Sequence, residues 1–545
     1  MSRVLLIKNA NLYDPDPKGI RDILIVDEKV FSVAEHIDPP ELSAPVEVVS
    51  ADGKMVIPGY VDQHVHVIGG GGAKLLVTRL SSLHEEVRDA VKAGVPVEKA
   101  IRICGENPAR ANGLFPKKGC IRPGSDADLV ILDEEFLVDT VFVRGQKMVE
   151  YGRDRRIDIM IKLLKNANVY APEKLGKKDI LIEGEKILLM QDTIEGYEGL
   201  PGVETYDLEG KTVVPAYIDM HVHITGGGGE QGPASRVPES QLSEFFKNGI
   251  TTVVGLLGTD GVTRSVENLV AKARALTEEG MTVYTLTSSY GYPPTTLTGS
   301  VERDIILVPP MIGVKVAVSD HRSSNPGGEE LIALATAARR AGLLSNTPGL
   351  VTMHMGDGEG RLDPIFYVLD HSDVPAKNLL PTHILRNPGL IDAGADLVRR
   401  GGYIDCTAGA DDVEVESDAL KLYELLHRED VSLDHVTMSS DAFGSQPRFN
   451  EEGECIGLTY ASPKYLHRTI QILVREGMPL EDALQLLTST PAVLLGKEGI
   501  KGCVAEGADA DLLVLDENLN INSLFARGKV AVWEQEVKMK GRFEQ

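Results

Sequence analysis

The sequence predicts an α/β protein. Its largest part is a (β/α)8, TIM-like barrel with a small β-sandwich domain built from both ends of the unit, and a truncated N-terminal repeat of the β-domain precedes it. Short apolar runs alternate with amphipathic stretches across 216–495, for example 251–257 followed by 265–278. This is the pattern of parallel strands joined by helices. Polar, ligand-capable side chains follow several of the apolar runs, and such barrels carry their active sites at the carboxyl ends of the strands.

The third observation is an internal repeat with a long gap in its first copy. His64 and His66 recur as His221 and His223, 157 positions later, and the same register relates 8–11 and 22–25 to later segments. Further along, the register becomes 383 positions, so that 226 positions are missing between residues 72 and 83. A fixed period of this kind indicates duplication. We expect three parts: a truncated, inactive duplicate at 1–157, a small β-sandwich domain from 158–215 and 496–545, and the barrel at 216–495.

Composition excludes several classes of protein. The chain of 545 residues has a formal net charge of −25, which argues against binding to nucleic acid or to a membrane surface. No apolar run approaches the roughly 20 residues that span a bilayer, and we see no signal peptide. Five cysteines without a CxxC motif fit a reducing compartment. We therefore expect a cytoplasmic enzyme with a small-molecule substrate.

The strongest chemical motif is the pair His221 and His223 after an apolar run. Alternate residues of a strand point to the same side, so both imidazoles would share one face. Two satisfied histidines at a strand end are an equally open interpretation. Further ligand-capable residues follow other apolar runs, and imidazole and carboxylate groups suit zinc and related ions. These residues are His354, His383, Asp441 and Lys315.

Lys315 needs a separate argument because a protonated amine has no lone pair and repels cations. It makes sense as a metal ligand only if carbon dioxide carboxylates its amine to a bridging carbamate. Considered alone, Lys315 is more typical of a surface or salt-bridged lysine.

The order HxH, Lys, His, His, Asp resembles the amidohydrolase superfamily. Within it, several segments are similar to the isoaspartyl (β-aspartyl) dipeptidase family of zinc peptidases. The resemblance covers essentially all of 158–545 and both ends of the first copy. The segments that carry it are 221–230, 255–260, 313–315, 319–322, 354–357, 381–383 with Arg386, and 439–441 with 445–447.

The resemblance implies two Zn²⁺ ions bridged by hydroxide and by carboxylated Lys315. The ligands of one ion would be His221, His223, Lys315 and Asp441, and those of the other Lys315, His354 and His383. The ion pair would activate the bridging water and polarise the scissile carbonyl. Asp441 would carry the proton from water to the leaving amine, and Tyr290 would stabilise the oxyanion.

The implied substrate is a β-aspartyl dipeptide, which carries one ammonium and two carboxylate groups. Glu230 would bind the ammonium, and Arg322 and Arg386 would bind the carboxylates. Gly228, Thr259 and Ser445 would add neutral hydrogen bonds. Without the resemblance, Tyr290 could be a core residue and Glu230 an ordinary loop carboxylate.

The first copy is predicted to be catalytically inactive. His64 and His66 match two ligands, but Ala73 stands where Glu230 would be, and the span for the other ligands is absent. Barrel remnants at 59–66, 83–92 and 97–105 are expected to have no barrel on which to pack. They could dock on the complete copy or on another subunit, since the family implies a homo-oligomer, or they could be a poorly folded remnant.

Two other classes of function stay open. The ligand series fits equally a cyclic-amide hydrolase of the dihydroorotase or hydantoinase type, or an N-acyl amino acid deacylase. A non-catalytic scaffold that keeps only the barrel is the alternative outside enzymology.

Overall fold

A computed structural model describes residues 4–39, 46–60, 87–88, 90–133, 136–150, 161–200, 203–449 and 455–544. The chain divides into two compact units, Met1–Asp158 and Ile159–Gln545. Among the described residues, no helix has both the length and the apolar character that crossing a bilayer requires.

The first unit is built on one mixed sheet of eight strands. These are β1 Val4–Asp14, β2 Asp16–Val26, β3 Lys29–Ala34, β4 Val46–Ser50, β5 Met55–Pro58, β6 Leu129–Leu132, β7 Val138–Val143 and β8 Gln146–Glu150. Their order is β3-β2-β1-β5-β6-β7-β8, and β4 also pairs with β1. Because β5 and β6 are neighbours, the sheet joins segments that lie far apart in the sequence.

The second unit starts with the same arrangement of strands. These are β9 Ile161–Tyr170, β10 Lys174–Glu183, β11 Lys186–Gln191, β12 Val203–Asp207 and β13 Thr212–Pro215. β9 pairs antiparallel with β10 and parallel with both β12 and β13. The strands that complete this sheet come from the end of the chain.

Eight parallel strands follow, and they form the barrel. They are β14 Tyr217–Val222, β15 Ile250–Gly255, β16 Thr282–Thr287, β17 Met311–Val318, β18 Leu350–Met355, β19 Leu379–Thr382, β20 Ile404–Thr407 and β21 Val436–Ser439. The first six form one sheet in chain order, and β20 pairs with β21. The hydroxyl of Thr382 donates to Asp405, which joins β19 to β20. A parallel bridge between Val222 and Ala442 closes the ring at β14.

The barrel strands are buried on both faces, as strands covered by helices must be. The helices between them bury one apolar side each. In the second unit the helices are Leu242–Phe246, Val266–Glu278, Val301–Leu307, Gly328–Ser345, Asp363–His371, Pro388–Arg399, Glu414–Leu426, Lys464–Arg475, Leu480–Gln485 and Ser489–Leu494. Side-chain N-caps mark three of these starts: Ser265, Ser300 and Asn387 each accept a hydrogen bond from a backbone N–H of the first turn.

After the barrel strands comes a hairpin, β22 Ser445–Phe449 and β23 Cys455–Tyr460, and the chain then returns to the small sheet. The returning strands are β24 Leu512–Leu515, β25 Ile521–Ala526, β26 Lys529–Trp533 and β27 Glu536–Val537. β24 pairs with β13, so both ends of the unit meet in one hydrogen-bonded sheet. Buried side chains from the early and late strands share a cluster. The predicted two-layer sandwich stays a prediction.

The small sheets of the two units match strand by strand. β1 to β5 correspond to β9 to β13 in the 157-position register, and β6 to β8 correspond to β24 to β26 in the 383-position register. Local contacts match as well: the backbone N–H of Asn9 donates to Asp22, and that of Asn166 donates to Asp179, both at 2.9 Å. Sequence register and local structure therefore agree.

The sequence predicts a barrel remnant at 97–105 with no barrel on which to pack. In the structure, helix Val97–Ile101 packs on the first unit's own sheet, a partner that the sequence did not indicate. Ile101 is buried against Ile57, Val130 and Leu132. Removing apolar side chains from water is favourable whichever apolar surface covers them, and here the sheet provides that surface. The helix Asn107–Ala111 follows after a π-helical turn. His64, His66 and Ala73 lie outside the described residues, as do the end of the 59–66 segment and part of 83–92.

Candidate active site

His221, His223 and Asp441 come together at the junction where the barrel closes. His221 is the penultimate residue of β14 and His223 follows its end, while Asp441 follows β21. The Asp441 Oδ1 atom lies 3.0 Å from His223 Nε2 and 3.4 Å from His221 Nε2. One ligand atom from each residue lies within 4.8 Å of the others, and all three side chains are buried. This geometry fits a single bound cation.

His354 and His383 extend this cluster. The His354 and His383 rings lie 4.5 Å apart and the His383 and His221 rings 5.1 Å apart, measured between centroids. The Nδ1 atom of His383 contacts the hydroxyl of Thr407 at 2.7 Å. The other nitrogen of the His383 ring is buried and has no hydrogen-bond partner among the described residues. A buried ring nitrogen without a hydrogen-bond partner, close to other nitrogen and oxygen donors, is the arrangement expected of a metal ligand.

Lys315 lies on β17, completely buried, with its Nζ atom 3.1 Å from His221 Nε2. Burial lowers the pKa of Lys315 to about 7. Much of the amine is therefore neutral near neutral pH, and a neutral amine has the lone pair that reaction with carbon dioxide requires. The six predicted ligands thus lie together, although their roles stay predictions.

The protonation states of this cluster suit metal binding. Burial lowers the pKa of His354 to about 3 and holds the pKa values of His221 and His383 well below the usual range. Burial alone would raise the pKa of Asp441, but neighbouring His223, His221 and Lys315 outweigh it and lower the pKa. Neutral imidazoles and an ionised carboxylate are the forms that bind metal ions, so the residues fit such a group.

Tyr290 lies beside this cluster with its hydroxyl 2.7 Å from His354 Nδ1. The side chain is buried, and burial raises the pKa of the phenol well above its ordinary value. The hydroxyl therefore stays protonated and can donate a hydrogen bond. This is the property that an oxyanion stabiliser needs.

Glu230 is held by two of the predicted neutral residues. Thr259 Oγ1 donates to Glu230 Oε1 and Ser445 Oγ to Oε2, both at 3.0 Å. The structure thus gives Thr259 and Ser445 a contact that the sequence did not indicate. Gly228 adopts φ +79°, where a Cβ atom would lie 2.4 Å from the carbonyl oxygen of Ser235. Only glycine fits this position of the loop without strain.

The two predicted arginines converge on a residue that sequence reasoning missed. Asp320 accepts two hydrogen bonds from the Arg322 guanidinium, at 3.0 and 2.9 Å, and Arg386 Nη1 lies 3.7 Å from its Oδ2 atom. Arg322 Nη1 lies 3.7 Å from Glu230 Oε1. The pocket therefore combines two carboxylates, Asp320 and Glu230, with two guanidinium groups. Asp320 lies in the 319–322 segment that carries the family resemblance, but the sequence analysis gave it no role.

Two other buried carboxylates were also missed. Asp405 accepts hydrogen bonds from the hydroxyls of Thr382, Thr437 and Ser439. Burial raises the pKa of Asp405 to about 6 despite these donors. Asp219 accepts from the hydroxyl of Ser440, and burial raises its pKa to about 7. These groups connect neighbouring barrel strands below the loops that carry the site.

The glycine-rich loop after His223 depends on Arg264, which is another residue that the sequence did not single out. The buried guanidinium of Arg264 donates to the backbone carbonyl groups of Thr225, Gly227 and Val237. Carbonyl groups of a loop would otherwise lose their hydrogen bonds on burial. Arg264 therefore fixes the loop that carries Glu230.

A closed parallel barrel with buried nitrogen and oxygen donors is the architecture of a metal-dependent hydrolase. The sequence profile of the Amidohydrolase family matches residues 69–149 and 367–542. A β-aspartyl dipeptidase structure from Fervidobacterium islandicum AW-1, in complex with β-Asp-Leu, is 39% identical with a TM-score of 0.64. The match covers 70% of this chain and 98% of that one. The chain therefore belongs to the amidohydrolase family and is a hydrolase.

A second structure of the Fervidobacterium islandicum AW-1 enzyme is 38% identical, with a TM-score of 0.63, and covers 70% and 99% of the two chains. D-Hydantoinase from Bacillus sp. AR9 is 16% identical, with a TM-score of 0.51 and coverage of 70% and 97%. That match shows the shared fold alone. All three solved structures are covered almost completely by this chain.

The curated relatives include dihydroorotases. The enzyme from Listeria monocytogenes is 34% identical over 134 residues, which are 24% of this chain and 30% of the relative. The enzyme from Staphylococcus aureus is 34% identical over 111 residues, which are 20% and 25% of the two chains. The chain thus spans less than a third of the length of the curated relatives it matches.

Proposed function

We propose that this protein hydrolyses the isopeptide bond of β-aspartyl (isoaspartyl) dipeptides. The observation that carries the proposal is the arrangement of Glu230, Arg322 and Arg386 beside the cluster of metal-ligating side chains. An ammonium group would pair with Glu230, and two carboxylate groups would pair with the guanidinium groups. The likeness to an enzyme solved with β-Asp-Leu supports the same substrate class.

The six clustered side chains would hold two Zn²⁺ ions. One set of ligands is His221, His223, Lys315 as its carbamate, and Asp441, and the other is Lys315, His354 and His383. When bound, the zinc pair lowers the pKa of water and polarises the scissile carbonyl. The support for this assignment is the chemistry of the donors, which are neutral imidazoles and an ionised carboxylate in a buried site.

Asp441 would act as the proton carrier in this reaction. Its Oδ2 atom accepts a hydrogen bond from Gln446 Nε2 at 3.1 Å, while its Oδ1 atom faces the imidazoles of His221 and His223. In its ionised form, Asp441 can take the proton of the attacking water and pass it to the leaving amine. Tyr290 would donate its hydroxyl proton to the oxygen that becomes negative.

The deciding experiment is a turnover assay with β-Asp-Leu and α-Asp-Leu, with dihydroorotate and hydantoin as further substrates. We expect hydrolysis of the β-linked dipeptide to exceed that of the others by at least about a hundredfold in kcat/KM, because only its charge pattern matches the pocket. Lys315→Ala is the control and should abolish the activity. Preference for a cyclic amide would overturn the proposal.

A cyclic-amide hydrolase is the second candidate, and the matches to dihydroorotases favour it. Dihydroorotate has no ammonium group, so it offers no partner for Glu230. A deacylase substrate lacks that ammonium as well. A scaffold without catalysis would have no use for buried Lys315, and measurement of zinc content tests this alternative directly.

For the first unit, we propose a truncated and inactive duplicate of the second. The support is the agreement of strand bounds in two registers, together with paired local contacts. Lys118 contacts Asp126 and Asp128, just as Lys501 contacts Asp509 and Asp511. No position in the first unit corresponds to Lys315, His354, His383 or Asp441, because the register changes across that span.

A further inference from the structure

We infer that Asp320 is a positioning residue that couples the ring of His354 to the guanidinium of Arg322. The inference rests on the proposed function, since it assigns one carboxylate to both the metal-binding and the substrate-binding halves of the site. Asp320 would touch neither the substrate nor the metal ions. It would act through the two residues that do.

The carboxylate of Asp320 is only 4% exposed and both of its oxygens are occupied. Oδ1 accepts from the backbone N–H and from Nε of Arg322, at 2.7 and 3.0 Å. Oδ2 accepts from Arg322 Nη2 at 2.9 Å and lies 3.0 Å from His354 Nε2. One buried carboxylate therefore contacts two of the predicted site residues at once.

The contact with Arg322 fixes the direction of its guanidinium. Asp320 takes the Nε and Nη2 edge, and the remaining Nη1 atom extends toward Glu230, 3.7 Å from Oε1. A bidentate pair of this kind holds a planar guanidinium in one orientation. The group that would bind a substrate carboxylate is thus held next to the group that would bind the substrate ammonium.

The contact with His354 selects one form of its ring. If Nε2 carries the proton and donates it to Asp320, then Nδ1 keeps its lone pair. Nδ1 is also the nitrogen that faces Tyr290, at 2.7 Å. Arg322 Nη2 also lies 3.0 Å from His354 Nε2, but Arg322 Nη2 already donates a hydrogen bond to Asp320. The guanidinium has no acceptor atom, so the Asp320 carboxylate is the acceptor for a proton on His354 Nε2. Carboxylates behind ligating histidines orient the ring and raise its basicity.

A buried ion pair that merely stabilises the fold would look similar. The two interpretations differ in what a change of Asp320 would do to other residues. A structural pair affects the free energy of unfolding, whereas a positioning residue changes substrate binding only through Arg322 and zinc binding only through His354. Asp320→Asn keeps the shape and removes the charge, so it separates these effects.

The test is a double-mutant cycle on the full chain with β-Asp-Leu and saturating zinc. We expect Asp320→Asn to raise KM at least about tenfold in the wild-type background and less than twofold in an Arg322→Ala background, because Asp320 acts through Arg322. Zinc affinity, measured by competition with a chelator, should fall at least about tenfold. The control is Asp370→Asn, which makes the same substitution in an exposed aspartate–arginine pair with Arg400 and should change neither value.

The outcomes separate the inference from the proposed function. A wild-type protein without activity on β-Asp-Leu would remove the proposed function. An active wild type whose Asp320→Asn variant keeps either its KM or its zinc affinity would overturn the coupling. Should Asp320→Asn fail to fold, ¹⁵N-histidine NMR of the zinc-loaded wild type still tests the inference: a proton on His354 Nε2 is expected, and a proton on Nδ1 would overturn it.

Discussion

The amine of Lys315 lies 3.1 Å from His221 Nε2, although neither side chain has access to solvent. An unmodified amine at this distance can donate an N–H to that nitrogen, which would occupy the lone pair that a metal ion needs. A carbamate on Lys315 would instead supply an anionic oxygen donor. We therefore expect substitution of Lys315 to affect the candidate site more than substitution of any other predicted ligand.

We expect Lys315→Ala to reduce bound zinc from about two ions per chain to one or fewer, and kcat by at least about a thousandfold, because the shared ligand is lost. Elemental analysis and turnover of β-Asp-Leu check both values. Lys247→Ala, which changes an exposed lysine paired with Glu244, is the control. Full zinc content in Lys315→Ala would contradict the ligand assignment.

Tyr290→Phe should lower kcat about a hundredfold or more and leave KM nearly unchanged. The hydroxyl is expected to bind the developing oxyanion more strongly than the ground-state carbonyl, so its loss affects mainly the transition state. The ring still fills the same buried space. Steady-state kinetics on β-Asp-Leu measure the effect, and a loss confined to KM would show that Tyr290 only binds the substrate.

Glu230→Gln should raise KM about a hundredfold, because the substrate ammonium loses its ionic partner. Thr259→Val and Ser445→Ala should raise KM by a smaller factor, since each removes one of the hydrogen bonds that hold Glu230. In a Glu230→Gln background the two changes should have little further effect. Additive losses would instead indicate direct contacts with the substrate.

The raised pKa of buried Asp405 predicts how the free energy of unfolding depends on pH. Burial raises its pKa to about 6, above the ordinary value of 3.8, so the folded state holds the proton more tightly than the unfolded state between these values. Its contribution to the free energy of unfolding therefore falls as the pH rises from about 4 to above 6, by roughly 3 kcal/mol at most. Asp405→Asn should lack this fall, as urea unfolding of the zinc-free protein at several pH values would reveal. A stability difference between wild type and variant that is constant with pH would contradict the shift.

Removal of residues 1–158 should leave zinc content and kcat/KM for β-Asp-Leu within about twofold of the full chain. All six proposed ligands and the substrate-binding residues belong to the second unit, which has its own core. The measurement compares the truncated and full-length proteins side by side. A truncated protein that folds but has no activity would show that the first unit contributes to the site.

The barrel and most of the site could be predicted because each signal is local. An apolar run followed by His221, His354 or His383 marks a strand and its end, and parallel strands bring such ends to one mouth. The sequence predicts the same for Lys315, but β17 continues to Val318, so this residue lies inside its strand. The amidohydrolase resemblance then supplied Tyr290 and Glu230, which have no pattern of their own. Prediction and structure agree where the sequence pattern that marks a strand or a ligand extends over only a few residues.

The sequence did not reveal the residues that orient the site. Asp405 and Arg264 contact partners that are distant in the chain, and so does Asp320 through His354. A single charged residue has no periodicity that would identify such a partner. The same limit applies to the first unit, where the sequence did not indicate the packing partner of helix Val97–Ile101. The packing of Ile101 on Val130 depends on how a shortened chain folds back, and no spacing within the segment encodes that.

The small sheet has a consequence for how such proteins can be built. The chain between β5 and β6 runs through 59–128, and that between β13 and β24 through 216–511, yet both pairs of strands form the same antiparallel contact. Closing a flexible loop roughly four times longer costs only about 1 kcal/mol more. The sheet therefore tolerates insertions of very different length between these two strands. The connection between them is a suitable position for inserting a foreign domain by engineering.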